Sequence, residues 1–257
     1  MLFHGSLSRY YAETNTNDGV LLENHCHAQF ELIAVFSGTV CLYPEGGTLL
    51  LSAGHAALIL PLYYHAVSVQ SGENYRRLTL LFDESMLPAP LRAPFSLLRA
   101  PVCVRAADCI SRLEPILLSS RDEYYAPLSE SLLTELFYRF ADRPERKIQN
   151  ENRELSEILI YIEEHLCEKI TLEDIARRTA RSKSSVCHLF SEQMKTSVKQ
   201  YILQKKLSYA EKCMEEGLSA TDAAREIGYE NYSNFYRMYQ KTFGMSPKEK
   251  SAASFRP

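Results

Sequence analysis

Two histidines one residue apart, His25 and His27, precede Glu31 in the stretch GVLLENHCHAQFELIAVFSG, and His65 closes the later stretch PLYYH. In an extended strand alternate residues share a face, so His25, His27 and Glu31 fall on one side of the chain. Three imidazoles and a carboxylate have two chemical uses. They ligate a divalent transition metal, or they orient a small polar molecule inside a pocket with apolar walls. We read His25, His27, Glu31 and His65 as effector-binding groups with no cofactor, and metal ligation by the same four as the alternative. The expected apolar walls are Phe30 or Phe36, Leu32, Val35 and Tyr43.

A second set of chemically equipped residues lies near the C-terminus, in two similar phrases. IARRTA at 175–180 aligns with AAREIG at 223–228, and Val186, Leu189 and Phe190 align with Phe235, Met238 and Tyr239. Each phrase reads as helix, tight turn, helix. Ala176 and Ala180 in one unit, and Ala224 and Gly228 in the other, are the small residues expected where the helices cross. Ser182 is the expected N-cap of the first unit's second helix, and Asn231 or Ser233 that of the second. With the apolar triplets turned inward, the outward faces carry Ser184, Ser185, Cys187 and His188, and then Tyr232, Asn234, Tyr236 and Arg237. Arginine bonds guanine bidentately and asparagine does the same with adenine, so these faces can read a DNA sequence from the major groove.

The elements that must hold these residues differ between the two parts of the chain. From about Val20 to Phe82, short apolar or alternating runs such as QFELIAVF, TVCLYP, TLLLS, AALILP, HAVSVQ and YRRLTLLF are separated by turn residues. That spacing predicts an antiparallel barrel or sandwich. PAPLRAP at 88–94 ends it. Beyond, Ile110, Leu113, Ile116 and Leu117, then Leu132, Leu133, Leu136, Phe137 and Phe140, fall at helical spacing. The polar stretch DRPERKIQNENRE is the expected linker, and residues 155–250 read as almost wholly helical.

The chain has 257 residues, 46% hydrophobic and 24% charged, enough for two domains with separate cores. Its net charge is −3, so any affinity for DNA must come from a local surface. The seven cysteines show no C-x-x-C and are expected to be reduced thiols. With no run long enough to cross a bilayer and no secretory leader, the expected location is the cytoplasm.

Residues 154–250 resemble the C-terminal DNA-binding domain of the AraC family of bacterial transcription regulators. The resemblance is carried by ITLEDIARRTARSKSSVCHLF, YILQKKLSYAEKCM and AAREIGYENYSNFYRMYQKTFGMSP. It implies seven helices with two helix-turn-helix units joined by one long helix, near Ser197–Met214, and DNA contacts from Ser184, Cys187 and His188 in the first unit and from Tyr232, Ser233, Asn234 and Arg237 in the second. Lys195 stands where the family usually has glycine, and Lys206 where it usually has arginine. The N-terminal histidine pattern resembles the cupin fold, whose metal enzymes use such a set. PLYYH departs from that pattern by lacking its glycine. Cupin domains joined to AraC-type domains commonly keep H-x-H without a metal.

The expected fold is therefore α+β with two domains. It comprises a cupin-like effector-binding antiparallel β-barrel at 1–95, a helical dimerisation segment at 96–143, a linker at 144–154 and a tandem helix-turn-helix domain at 155–250. The expected function is a sequence-specific, non-enzymatic transcription regulator controlled by an effector in the barrel. Its partners are promoter double-stranded DNA, a small polar effector such as a sugar, RNA polymerase if it activates, and a second copy as homodimer, with no membrane. The alternative is a metal-dependent cupin enzyme with an accessory DNA-binding module.

Overall fold

In the computed structural model the described residues are 9–14, 24–45, 47–117, 122–142, 144, 146–147 and 152–249. The N-terminal part is one antiparallel sheet of seven strands: β1 (Arg9–Thr14), β2 (Phe30–Pro44), β3 (Leu49–Ser52), β4 (His55–Ile59), β5 (His65–Phe82), β6 (Val102–Arg105) and β7 (Arg146–Lys147). Their order is β1-β5-β2-β4-β6-β7, with β3 paired to β2. Three helices belong to this part: α1 (Ala89–Ser96), α2 (Ala107–Leu117) and α3 (Asp122–Asp142).

The strands are buried on both sides, which explains runs that are apolar throughout. On β2, Phe30, Leu32 and Ala34 pack against the helices together with Leu78, Leu80 and Phe82 of β5. Ile33 and Val35 face the other way and join Val40, Leu42, Leu49, Leu51, Ala57, Ile59, Val67, Val69 and Tyr75 in an inner cluster. Of the expected pocket walls, only Val35 belongs to that inner cluster. Phe30, Leu32 and Phe36 pack on the helix side, and Tyr43 is exposed. A one-residue change of parity decides the face, and the sequence run is apolar at both parities.

Two expected turns are absent. SG at 37–38 and SGEN at 71–74 lie within β2 and β5, which run continuously for 15 and 18 residues. The irregular register between Val35 and Val40 absorbs the turn residues as a local bend rather than a chain reversal. The sheet also recruits β6 and β7 from stretches read as helix and linker; VCVR is too short to stand out beside Pro101. At Gly54 the turn between β3 and β4 requires glycine. Its φ is +83°, and a Cβ there would lie 2.7 Å from that of Ala107 at the start of α2.

Ile110, Leu113, Leu132, Leu133, Leu136, Phe137 and Phe140 are all buried against the sheet of the same chain. The apolar rows that suggested a dimer interface are thus consumed within one protomer. Leu128 and Tyr138 remain exposed on α3.

The C-terminal part contains α4 (Arg153–Glu164), α5 (Leu172–Arg178), α6 (Lys183–Met194), α7 (Val198–Glu215), α8 (Ala220–Glu226) and α9 (Tyr232–Phe243), with helix again at 247–249. Each start is capped by a side chain: Asn152, Thr171, Ser182, Ser197, Ser219 and Asn231 accept from main-chain amides one turn on. Two helix–turn–helix pairs, α5–α6 and α8–α9, flank α7, which spans the middle of the domain. Val186, Phe190 and Tyr201 close the first core, and Ala223, Phe235 and Tyr239 the second. No helix among the described residues is long and apolar enough to cross a membrane.

Candidate functional site: an imidazole–carboxylate group backed onto the DNA-binding domain

Main-chain pairing brings the four N-terminal residues together. His25 and His65 form an antiparallel bridge, with N–H to carbonyl distances of 3.0 and 2.9 Å, and the Leu62 N–H donates to the His27 carbonyl at 2.7 Å. Glu31, the second residue of β2, projects on the inner face with Ile33 and Val35. One of its carboxylate oxygens, Oε2, lies 2.9 Å from both His27 Nε2 and His65 Nε2. The ring of His25 sits 4.5 Å from that of His65, centroid to centroid. Ligand-capable atoms of all four residues lie within 4.8 Å of one another.

The other ring nitrogens are committed. His27 Nδ1 bonds the Gln29 carbonyl at 2.8 Å and His65 Nδ1 the Tyr63 carbonyl at 2.9 Å. A carbonyl only accepts, so both Nδ1 atoms carry a proton and both Nε2 atoms turn to Glu31. Burial opposes ionisation of Glu31, but the two imidazoles hold its carboxyl well below the usual range. Burial likewise opposes charge on His65, but Glu31 raises its pKa.

The backs of the same two segments touch the C-terminal part. Between His25 and His27, Cys26 offers its carbonyl to Ser208 Oγ of α7 at 2.9 Å, and Asn24 Nδ2 donates to the Met194 carbonyl at the end of α6. Between Tyr63 and His65, the ring of Tyr64 packs 5.0 Å from that of Tyr201. Glu45, at the end of β2, accepts from the Tyr64 N–H, Tyr201 Oη and Lys205 Nζ at 3.0–3.1 Å. Lys205 Nζ donates also to the Leu62 carbonyl and to Glu163 of α4. Lys205 is 3% exposed and Glu45 6%. Sequence reasoning missed this group, because its members come from four separate stretches with no shared spacing.

The seven residues expected to face DNA are all exposed: Ser184, Cys187 and His188 on α6, and Tyr232, Ser233, Asn234 and Arg237 on α9. Arg237 donates to Asn234 Oδ1 one turn back, so the two side chains sit together on the helix surface. His188 lies 3.8 Å from Glu192. The turns that aim α6 and α9 are the same. Arg181 N–H bonds the Ala176 carbonyl and Tyr229 N–H that of Ala224, both at 2.9 Å, around left-handed Ala180 and Gly228. Ala180 and Gly228 are exposed, so they are small for their backbone conformation; the buried helix contacts fall to Ala176 and Ala224.

Two family models match the chain. An AraC-like ligand binding domain matches residues 8–161, and a helix-turn-helix domain matches 175–252. The chain belongs to the AraC family of transcription regulators. Among curated relatives, the regulator ExsA of Pseudomonas aeruginosa is 23% identical over 260 residues, covering 95% of this chain and 89% of that protein. The uncharacterised regulator YdiP of Escherichia coli is 29% identical over 96 residues, and there the match spans about a third of each protein, 37% and 32%. Among solved structures, ToxT of Vibrio cholerae aligns over 97% of this chain and 98% of its own, with TM-score 0.46 and 13% identity. Like other AraC-type regulators, the chain joins an N-terminal ligand-binding domain to a helix-turn-helix DNA-binding domain.

Proposed function

We propose that this AraC-type regulator reads promoter DNA through α6 and α9 and is controlled at His25, His27, Glu31 and His65. The observation that carries the control is the placement of that group. Alternate residues of the same short segments face the group on one side and contact α6 and α7 on the other. A ligand that tightens one face favours one arrangement of the contacts on the other.

The donor set favours a divalent transition metal over a sugar as occupant. Each of two imidazoles has one nitrogen held by a carbonyl and the other aimed at a shared carboxylate, the arrangement that fixes ligands around a cation. A cation would be held by His27, His65 and Glu31 with their present orientations kept, whereas a sugar must part their contacts with one another. The ion would supply a fixed positive charge that locks the two segments together. The names of the relatives are those of regulators, which supports a non-catalytic reading. Homodimerisation is assigned to the outer side of α3, around Leu128 and Tyr138, and an activating member would contact RNA polymerase from the DNA-bound state.

Two measurements test this. The recognition helices should protect DNA at two places about one turn, ~10 bp, apart, and Arg237→Ala should weaken specific binding by about 1–3 kcal/mol. Equal loss on random DNA would reduce Arg237 to a phosphate contact. Chelation, followed by manganese, iron or zinc, should change that affinity in the parent protein and leave His65→Ala unresponsive. A His65→Ala protein that still responds to metal excludes this group as the control site.

A further inference from the structure

The inner face of β5 carries a second polar group, away from the histidines. Tyr75, Arg77 and Thr79 alternate with Arg76 and Leu78, which face the helices. Across the sheet Arg77 pairs with Val35 of β2 and Thr79 with Ile33, both members of the inner apolar cluster. Arg77 is 9% exposed and Tyr75 is fully buried, and the guanidinium carbon lies 5.9 Å from the centre of the Tyr75 ring. Arg77 Nε and Nη1 and Thr79 Oγ1 are buried without a hydrogen-bond partner, and the Tyr75 hydroxyl interacts only with the Arg77 guanidinium.

The neighbouring arginine makes the contrast. Arg76, on the helix side, pairs with Glu114 of α2 at 3.0 Å. None of the ion pairs among the described residues includes Arg77, and Glu31, the acid on the inner face of β2, is engaged by His27 and His65. Guanidinium stays charged at any pH a protein tolerates. Burying it without a counter-charge costs several kcal/mol, so a fold that keeps Arg77 there has reason to supply an anion. Two nitrogens of one fork suit a carboxylate or phosphate, and a charge-assisted pair is stronger than a neutral one.

We infer that Arg77, with Tyr75 and Thr79, binds the anionic group of a small molecule, a carboxylate or a phosphate, on the inner face of the sheet at a site separate from the histidine group. Tyr75 and Thr79 add hydroxyls beside the fork, and Val35 and Ile33 give the apolar side of the contact. The site needs no DNA, so its test stands apart from the regulator reading.

The test is thermal unfolding and calorimetry of the full chain with inorganic phosphate or with succinate, against sodium chloride at equal ionic strength. One of the two anions should raise Tm saturably with a stoichiometry near one site per chain. Thr79→Val should weaken the affinity about tenfold, the loss of one hydrogen bond to a charged group. Arg77→Met should abolish the response while unfolding no earlier than the anion-free parent, because it removes an unpaired buried charge. If Arg77→Met does not fold, Arg77→Lys replaces it; keeping the charge without the fork, it should fold and bind about tenfold or more weakly. No saturable response to either anion, or an undiminished response in both Arg77→Met and Thr79→Val, overturns the site.

Discussion

Cys26 is buried between the barrel and α7, with Sγ 3.4 Å from the Ser208 hydroxyl, and burial pushes its thiol up to about 11. It stays protonated at neutral pH and out of reach of an alkylating agent. Cys167 and Cys187 are exposed, while Cys41, Cys103, Cys109 and Cys213 are buried. Iodoacetamide should therefore modify Cys167 and Cys187 in the folded protein and the other five only on unfolding, as read by peptide mapping. Fast labelling of Cys26 would show that the contact between barrel and α7 opens readily. At this scale the sequence shows residue types but not partners. His25, His27 and Glu31 could be grouped because a spacing of two or four keeps one face of an extended chain. Arg76 and Arg77 were indistinguishable, because only the sheet tells which of two adjacent residues meets Glu114.

The two helix–turn–helix elements place one residue each in the left-handed region, Ala180 at φ +52° and Gly228 at φ +80°. An L side chain pays about 1–2 kcal/mol for that conformation and glycine does not. Ala180→Gly should therefore stabilise the protein, by on the order of 0.5–1 kcal/mol once the entropy of the unfolded glycine is counted. Gly228→Ala should destabilise it by more than that, since the new Cβ would also approach the Cys167 carbonyl to 3.0 Å. Urea unfolding of both variants checks the pair; equal effects of one sign would contradict the shared turn geometry. Lys195 repeats the theme: it closes α6 at φ +53°, a conformation that favours the glycine that the family resemblance implies at this place. The caps Ser182 and Asn231 were legible because a cap is a contact over three residues. The strand ends in β2 and β5 were not, because a bend and a reversal use the same turn residues.

Across the whole molecule the buried pair of Lys205 and Glu45 fastens the effector-binding sheet to the DNA-binding helices. Removing one partner of a buried pair costs about 3–5 kcal/mol, while removing both in favour of apolar groups costs far less. Glu45→Leu or Lys205→Met alone should loosen the contact between the two parts. The combined variant should recover much of the stability, with metal and anion binding intact but DNA affinity no longer responsive to metal. Matching single and double variants in thermal unfolding would show the pair to be uncoupled. Burial opposes the charge of Lys205, but Glu45 and Glu163 raise its pKa above the ordinary value. The folded ammonium therefore holds its proton more tightly than the unfolded one. Its contribution is complete below the unfolded pKa of about 10.4 and falls as pH rises through the folded value. Lys205→Met should flatten the alkaline limb of the stability curve above about pH 10.

What the sequence determined by itself is the part of the protein written in short-range contacts. Two helix–turn–helix phrases, their caps, the apolar triplets of α6 and α9 and the long α7 follow from spacings of one to four residues, and these sufficed to identify the DNA-binding domain. The tertiary structure decided which face of β2 and β5 turns inward, and that the rows of α2 and α3 are spent on the sheet. It also decided that Glu45 meets Lys205 across 160 positions and that Arg77 has no acidic partner among the described residues. Pairings of that range depend on strand register and on the docking of whole elements, and in runs apolar at every position no local pattern specifies them.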